Sequence, residues 1–231
     1  MSVLIDGDPF AYRAAFSKDS VTEDDALELV DDLLETAISE VDPFFTEYDY
    51  KVYLTGKGNF RYDVAVSHPY KGNRQSEKPE FLGIIRDHMV ENWDSVVSEG
   101  EEADDLIGIA ATDLYPDCVV VSIDKDMLQL PGTHFNPVTR RWQEVDEFGG
   151  LKFFYQQILT GDKADNIVGL YGIGPKKSEK LLEHCETEED LWKAVVEAYD
   201  GDLDRIVENA RLLWLRRYPE QIWEPPTDET K

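Results

Sequence analysis

Two cysteines in 231 residues, Cys118 and Cys185, are too few and too scattered for a disulfide framework, and they fit a reducing cytoplasm. Long hydrophobic runs are missing too. No stretch approaches the ~20 apolar residues that span a bilayer, which excludes a membrane helix. The chain enters a strand-like Val3-Leu4-Ile5 almost at once, with charged Asp6 behind it, and this argues against a signal peptide. The histidines, His68, His88, His134 and His184, show no metal-ligand pairing and are read as incidental. Positive charge is scarce: Lys and Arg total 23 against 49 acids, a net charge of −26. A protein that grips nucleic acid usually carries a basic face, because the phosphate backbone dominates affinity. Two accounts compete. The acids form a solvated surface suited to high salt or crowding and leave small basic patches free, or the chain itself mimics DNA. The local distribution of charge favours the first.

What is present supports a folded chain. An apolar share of 42% and an aromatic share of 11% fit a globular protein, long enough for one sizeable core with a smaller helical extension. Val3–Asp8 reads as a strand entering a turn. Thr22 is a helix N-cap, with Glu23, Asp24 and Asp25 at the positive dipole end, and Leu27, Val30, Leu34, Ala37 and Ile38 recur at helical spacing. Lys51–Thr55 is a second strand. From Lys57 to Lys78 glycines and Pro69 break the pattern while Lys57, Arg61, Lys71, Arg74 and Lys78 add positive charge, so this stretch reads as mobile. A helix over 80–92, a short strand at Val96-Val97, a helix from Glu101 to Leu114 and a strand over 118–123 follow. Strand and helix alternate, which predicts an α/β fold with a largely parallel sheet. Beyond Pro137 the pattern is irregular, then helical from about residue 151, with an amphipathic helix through Leu203, Ile206, Ala210, Leu213 and Trp214 and a polar tail from Glu224.

Carboxylates gather in short clusters: Asp6; Glu102, Asp104 and Asp105; Asp124 and Asp126; Asp162 and Asp165. Asp8 is left outside the primary site. Asp6 and Asp124 follow buried strand runs, and in an open α/β sheet the carboxyl ends of strands share the edge where ligands bind. Such like charges need cations to share a site, and oxygen-only ligands select Mg²⁺ or Mn²⁺. Paired ions suit attack on a phosphodiester. Each cluster has a bland reading alone: a turn aspartate at Asp6, dipole compensation at Glu102–Asp105, a surface turn at Asp124–Asp126. Together they read as a metal-dependent nuclease site. Gly172-Ile173-Gly174 ahead of Lys176, Lys177 and Lys180 lets backbone N–H groups approach a phosphate. Tyr70-Lys71-Gly72-Asn73-Arg74 sets an aromatic stacking surface beside two cations, against the bland reading of a basic loop without a ligand.

In order and spacing, Ile5-Asp6-Gly7, Tyr70–Arg74, Glu102–Asp105, Asp124-Lys125-Asp126 and Gly161–Lys177 resemble the 5′-nuclease family of flap endonucleases and 5′–3′ exonucleases, particularly compact phage and bacterial members. The resemblance runs from Ser2 to about Leu182. It implies a PIN-like α/β core over residues 1–155, with a helical arch near 57–90, and a helical region over 156–231 carrying a helix–three-turn–helix motif. The core would bind two or more Mg²⁺ ions, with Mn²⁺ able to substitute, through Asp6, Glu102, Asp104, Asp124, Asp126 and Asp165, with Asp105 and Asp162 assisting. Lys71 and Arg74 in the arch would act on the phosphate beside Asp6 and Asp124, and Tyr70 would contact substrate. Gly172, Gly174, Lys176 and Lys177 would hold the duplex backbone, with K⁺ bound there. The partners implied are DNA with a 5′ flap, nick or single-stranded end, an RNA–DNA hybrid and a replication polymerase, for a monomer in the cytoplasm of a phage-infected, bacterial or archaeal cell. A PIN-type ribonuclease would share the acids but lack the Gly172–Lys177 clamp. A silent acidic binding protein suits the net charge but not acids grouped at strand ends. One departure stands out: family members carry an acid soon after the second strand, where Thr55-Gly56-Lys57-Gly58 has glycine.

Overall fold

The structure is a computed structural model that describes residues 2–41, 50–74, 78–115 and 117–226. Residues 75–77, inside the expected arch, and the end of the expected polar tail lie outside the described residues. The chain forms two compact units, one of residues 1–59, 76–145 and 216–219 and the other of 60–75, 146–215 and 220–231.

The first unit is built on a sheet of β1 (Val3–Asp6), β2 (Tyr50–Lys57), β3 (Val96–Glu99), β4 (Val119–Val121), β5 (Gly132–Asn136) and β6 (Arg141–Val145), in the order β3-β2-β1-β4-β5-β6. Every neighbouring pair is parallel except β5 with β6. The mostly parallel sheet expected from the alternation is therefore present. β1 is buried at every position because both faces are covered, as parallel strands require. The helices of this unit are α1 (Asp8–Ala15), α2 (Glu23–Val41), α4 (Leu82–Asn92) and α5 (Ala103–Ile109). α2 begins where the sequence places it: the Thr22 N–H and hydroxyl both donate to the Asp25 carboxylate at 2.8 Å, and Asp25 N–H returns a bond to the hydroxyl. Ala26, Val30, Leu34 and Ile38 of α2 join Leu82, Ile85 and Met89 of α4 in one core with β1 and β2.

Two elements of this unit differ from expectation. α1 starts immediately after β1, where only a turn was read, because Pro9 sits in its first turn and Phe10, Ala11 and Ala14 bury one face. β6, the second strand of the β5–β6 hairpin, lies in the stretch beyond Pro137 read as irregular. β6 is an exposed edge, so Arg141-Trp142-Gln143-Glu144 lacks the alternation that marks a half-buried strand.

The second unit packs the short α3 (Arg61–Val64) with α6 (Glu147–Thr160), α7 (Pro175–Leu181), α8 (Glu188–Ala198) and α9 (Leu203–Leu213), plus the small hairpin of β7 (Gly161–Asp162) and β8 (Ile167–Val168). Phe154, Tyr155, Ile158, Leu191, Ile206 and Ala210 form its core. α6 begins at residue 147, before the expected 151, because Asp146 caps it by accepting from Gly149 N–H at 2.6 Å. Among the described residues no helix is long and apolar enough to cross a membrane.

Candidate active site

In this strand order β1 and β4 are the neighbours from which the chain runs outward in both directions, and such a switch point opens a crevice at the strands' carboxyl ends. Asp6 ends β1, and Asp124 lies three residues past Val121, the end of β4. Ser122 joins them: its hydroxyl donates to Asp6 Oδ2 at 2.8 Å and accepts from Asp124 N–H at 2.9 Å. Ser122 was not singled out in the sequence, where a serine closing a Val-Val-Val run has no distinguishing signal. Asp124 then caps the 3₁₀ turn Lys125–Gln129 by accepting from Asp126 N–H at 2.9 Å, which keeps Asp126 beside it.

The Glu102–Asp105 cluster splits by role. Glu102 and Asp105 form a reciprocal capping box at the start of α5, with Glu102 N–H donating to Asp105 Oδ2 at 3.1 Å. Asp105 is fully buried and its other oxygen accepts from Arg216 N–H at 3.2 Å. As placed, Asp105 is a structural cap. Asp104 points to the other acids instead. Burial, followed by the charges of Asp6, Asp124, Glu102 and Asp105, holds its carboxyl well above the ordinary value.

Asp6, 3% exposed, is in the same condition. Burial raises its carboxyl to about 7, the Ser122 hydrogen bond works against the rise, and the charges of Asp8 and Asp124 add to it. Mutually repelling oxygen donors of this kind are relieved by a proton or by a hard divalent cation. Among the described residues no three such side chains are gathered tightly enough to form a ready ligand set, so the acids would turn inward around an ion. The donor chemistry fits Mg²⁺ or Mn²⁺; the preformed geometry is incomplete.

Gly56 lies in a bulge of β2 where the pairing with β3 shifts register. A Cβ there would stand 1.9 Å from the Ser98 carbonyl oxygen, so this backbone admits no acid at that position.

In the second unit, Asp162 and Asp165 lie on the β7–β8 hairpin and its turn. Asp162, 8% exposed, caps the turn by accepting from Ala164 N–H at 2.6 Å and Asp165 N–H at 3.3 Å. Asp165 is held by the expected substrate loop. Arg74 Nη2 reaches its Oδ1 at 2.7 Å, Tyr70 donates to Oδ2 at 2.8 Å, Lys71 Nζ stands 3.8 Å from Oδ2, and Lys71 N–H donates to its carbonyl at 2.9 Å. Lys71 adopts φ +53°, a left-handed conformation that non-glycine residues avoid.

The loop read as mobile is tied down at further points within this unit. Arg61, 1% exposed, donates to the carbonyls of Leu212 and Trp214 at 2.8 Å, closing the end of α9. Glu208 accepts from Val66 and Ser67 N–H, both at 2.7 Å. Tyr70, expected to offer a stacking face, is 4% exposed with its edge against Tyr62, so as placed it anchors the loop. The 171–174 turn leads into α7 with Gly172 at φ +74°, and Lys177 Nζ folds back onto the Gly172 carbonyl at 2.8 Å. Lys176 is exposed beside it.

Residues 1–154 match the family of the 5′–3′ exonuclease N-terminal resolvase-like domain. The chain is 30% identical to a DNA polymerase I of Bacillus caldotenax over 84% of its own length and 24% of that protein's. It is 29% identical to a 5′–3′ exonuclease of Mycoplasma pneumoniae, covering 88% of this chain and 81% of that one. The fold resembles T5 5′-exonuclease, solved with divalent zinc bound, with a TM-score of 0.70 at 18% identity over 92% of this chain and 88% of that one. The chain spans only about a quarter of the polymerase it matches.

Proposed function

The chain belongs to the 5′–3′ exonuclease family, and from that premise we propose that it is a metal-dependent 5′–3′ exonuclease or flap endonuclease that hydrolyses phosphodiesters near the 5′ ends of DNA or of RNA primers in replication. The observation that carries the reading is the Asp6–Ser122–Asp124 bridge at the sheet's switch point, with Asp104 in charge range of both acids. Relatives named DNA polymerase I and 5′–3′ exonuclease support it.

Asp6, Asp104, Asp124, Asp126 and Glu102 would hold Mg²⁺, with Asp105 fixing the start of α5. Asp162 and Asp165 are proposed as further ligands. When bound, divalent ions lower the pKa of an attacking water and offset charge on the leaving oxygen. Ser122 fixes the facing of Asp6 and Asp124. Lys71 and Arg74, released from Asp165, supply the positive charge for a phosphate, and Tyr70 holds their loop in register. Gly172, Gly174, Lys176 and Lys177 would receive the duplex backbone, with K⁺ at that turn. The partner proposed is DNA with a 5′ flap, nick or single-stranded end, or an RNA–DNA hybrid, for a monomer working beside a replication polymerase.

The test is cleavage of end-labelled 5′-flap, nicked-duplex, single-stranded and RNA-primed substrates with Mg²⁺ or Mn²⁺, against an Asp124→Asn/Asp126→Asn control. Ion-dependent products that vanish in the control support the reading, and their lengths separate stepwise from flap cutting. No product from any substrate with either ion sinks it.

A further inference from the structure

Asp8 and Arg86 are not among the residues proposed to hold metal or substrate, yet they meet at the edge of the site. Asp8 opens α1, two residues beyond Asp6, and lies close enough for the two carboxylates to repel. Its Oδ2 accepts from Thr55 N–H at 2.9 Å, and its Oδ1 pairs with Arg86 Nη1. The other arm of the Arg86 guanidinium donates to the Thr55 carbonyl. Thr55 Oγ1 in turn accepts from Ala103 N–H at 3.0 Å, in the first turn of the helix that bears Asp104. Arg86 therefore binds the ends of α1 and β2 to one another from α4, within one bond of the acid-bearing helix. Both side chains are largely sheltered, 23% and 21% exposed, so their charges are felt locally and not fully screened by water.

We infer that Asp8 and Arg86 are a charge-setting pair that fixes how tightly the acidic edge at Asp6 binds a divalent cation. Asp8 adds negative charge beside Asp6, and Arg86, paired with it, brings the opposite charge to the same edge. This inference rests on the metal-dependent reading of the site. It differs from a scaffolding role in the sign of its consequences. Removing the acid alone leaves an unpaired cation that repels the metal. Removing the cation alone leaves an unpaired acid that attracts it. A scaffold would weaken binding in both cases.

The experiment is Mn²⁺ binding to the full chain, followed by the electron paramagnetic resonance signal of free Mn²⁺, with circular dichroism to verify folding. Asp8→Asn should weaken binding about tenfold and Arg86→Met should tighten it about threefold, as a nearby unit charge acts on a divalent ion in a partly screened site. The double variant should return near wild type. Arg86→Lys, which keeps the charge and loses the fork, should stay within about twofold. Weakening in both single variants, no change in either, or a loss in Arg86→Lys as large as in Asp8→Asn overturns the charge-setting role. No Mn²⁺ binding in the wild type beyond that of Asp6→Asn overturns the metal-dependent reading itself, and the inference with it.

Discussion

The two sets of acids in this molecule are chemically alike and electrostatically opposite. Around Asp6, Asp104 and Asp124 the carboxylates face one another, and burial with mutual repulsion pushes the protons of Asp6 and Asp104 on. On the β7–β8 hairpin, Asp165 is met by Arg74, Lys71 and Tyr70 from within its own unit. The first set asks for a cation from outside; the second already carries one. Counting acids in a sequence does not distinguish these states, because the difference lies in what else the fold brings to each carboxylate.

The sharpest way to break the contrast is catalytic. Asp124→Asn should lower cleavage about 10³-fold, the loss of ~4 kcal/mol of transition-state stabilisation by a metal site. Retained cleavage would mean the first set is not where the chemistry happens.

Asp105→Ala comes next, since it leaves two N–H groups, those of Glu102 and Arg216, without their acceptor. It should cost about 2–3 kcal/mol in urea unfolding, the scale of buried donors left unsatisfied. A loss of Mn²⁺ affinity with unchanged stability would instead make Asp105 a ligand.

Smaller, and most diagnostic, is a pair with opposite signs in metal-free protein. Asp165→Asn should destabilise by about 1 kcal/mol, because Arg74 is exposed and its ion pair is screened. Asp6→Asn should stabilise, since it removes a charge the fold resists. The sign with pH follows. Asp6 rises from 3.8 to about 7 on folding, so its ionisation costs nothing below pH 3.8 and the penalty grows until about 7. Wild type should lose melting temperature relative to Asp6→Asn across that window, and Mg²⁺ should recover more at pH 7 than at pH 5. Equal slopes for the two proteins would remove the account of Asp6.

The smallest effect belongs to Glu208→Gln, about 0.5 kcal/mol. Burial opposes ionisation of Glu208, but bonds from Ser67 and Val66 prevail and hold its carboxyl below the ordinary value, so its contribution is present near neutrality and lost as acid protonates it. If wild type and variant respond alike down to pH 4, the charge of Glu208 does not help to secure the loop.

The sheet was legible because Val3-Leu4-Ile5 and Val119-Val120-Val121 are buried on both faces, which leaves unbroken apolar runs. α2 was legible from Thr22 and Asp25 together with its apolar stripe. The exposed β6 was not, since a solvated edge strand imposes no pattern. At the site, the acids at the strand ends could be read, whereas their division of labour could not. On an ideal helix Glu102 and Asp105 share a face, but Glu102 is the cap and the helix starts after it, which turns Asp105 inward and leaves Asp104 with the other acids. Ser122, Asp8 and Arg86 act through partners as far as 116 residues away in the chain, a separation no local spacing reports.

The bulge at Gly56 has a consequence for how this lineage can change. With the Ser98 carbonyl 1.9 Å from where a β-carbon would sit, no single substitution places an acid there without first rebuilding the β2–β3 pairing. Laboratory selection should retune the acidic edge through neighbours such as Asp8 and Arg86, and a saturation library across residues 53–58 should return glycine alone at position 56 among folded clones.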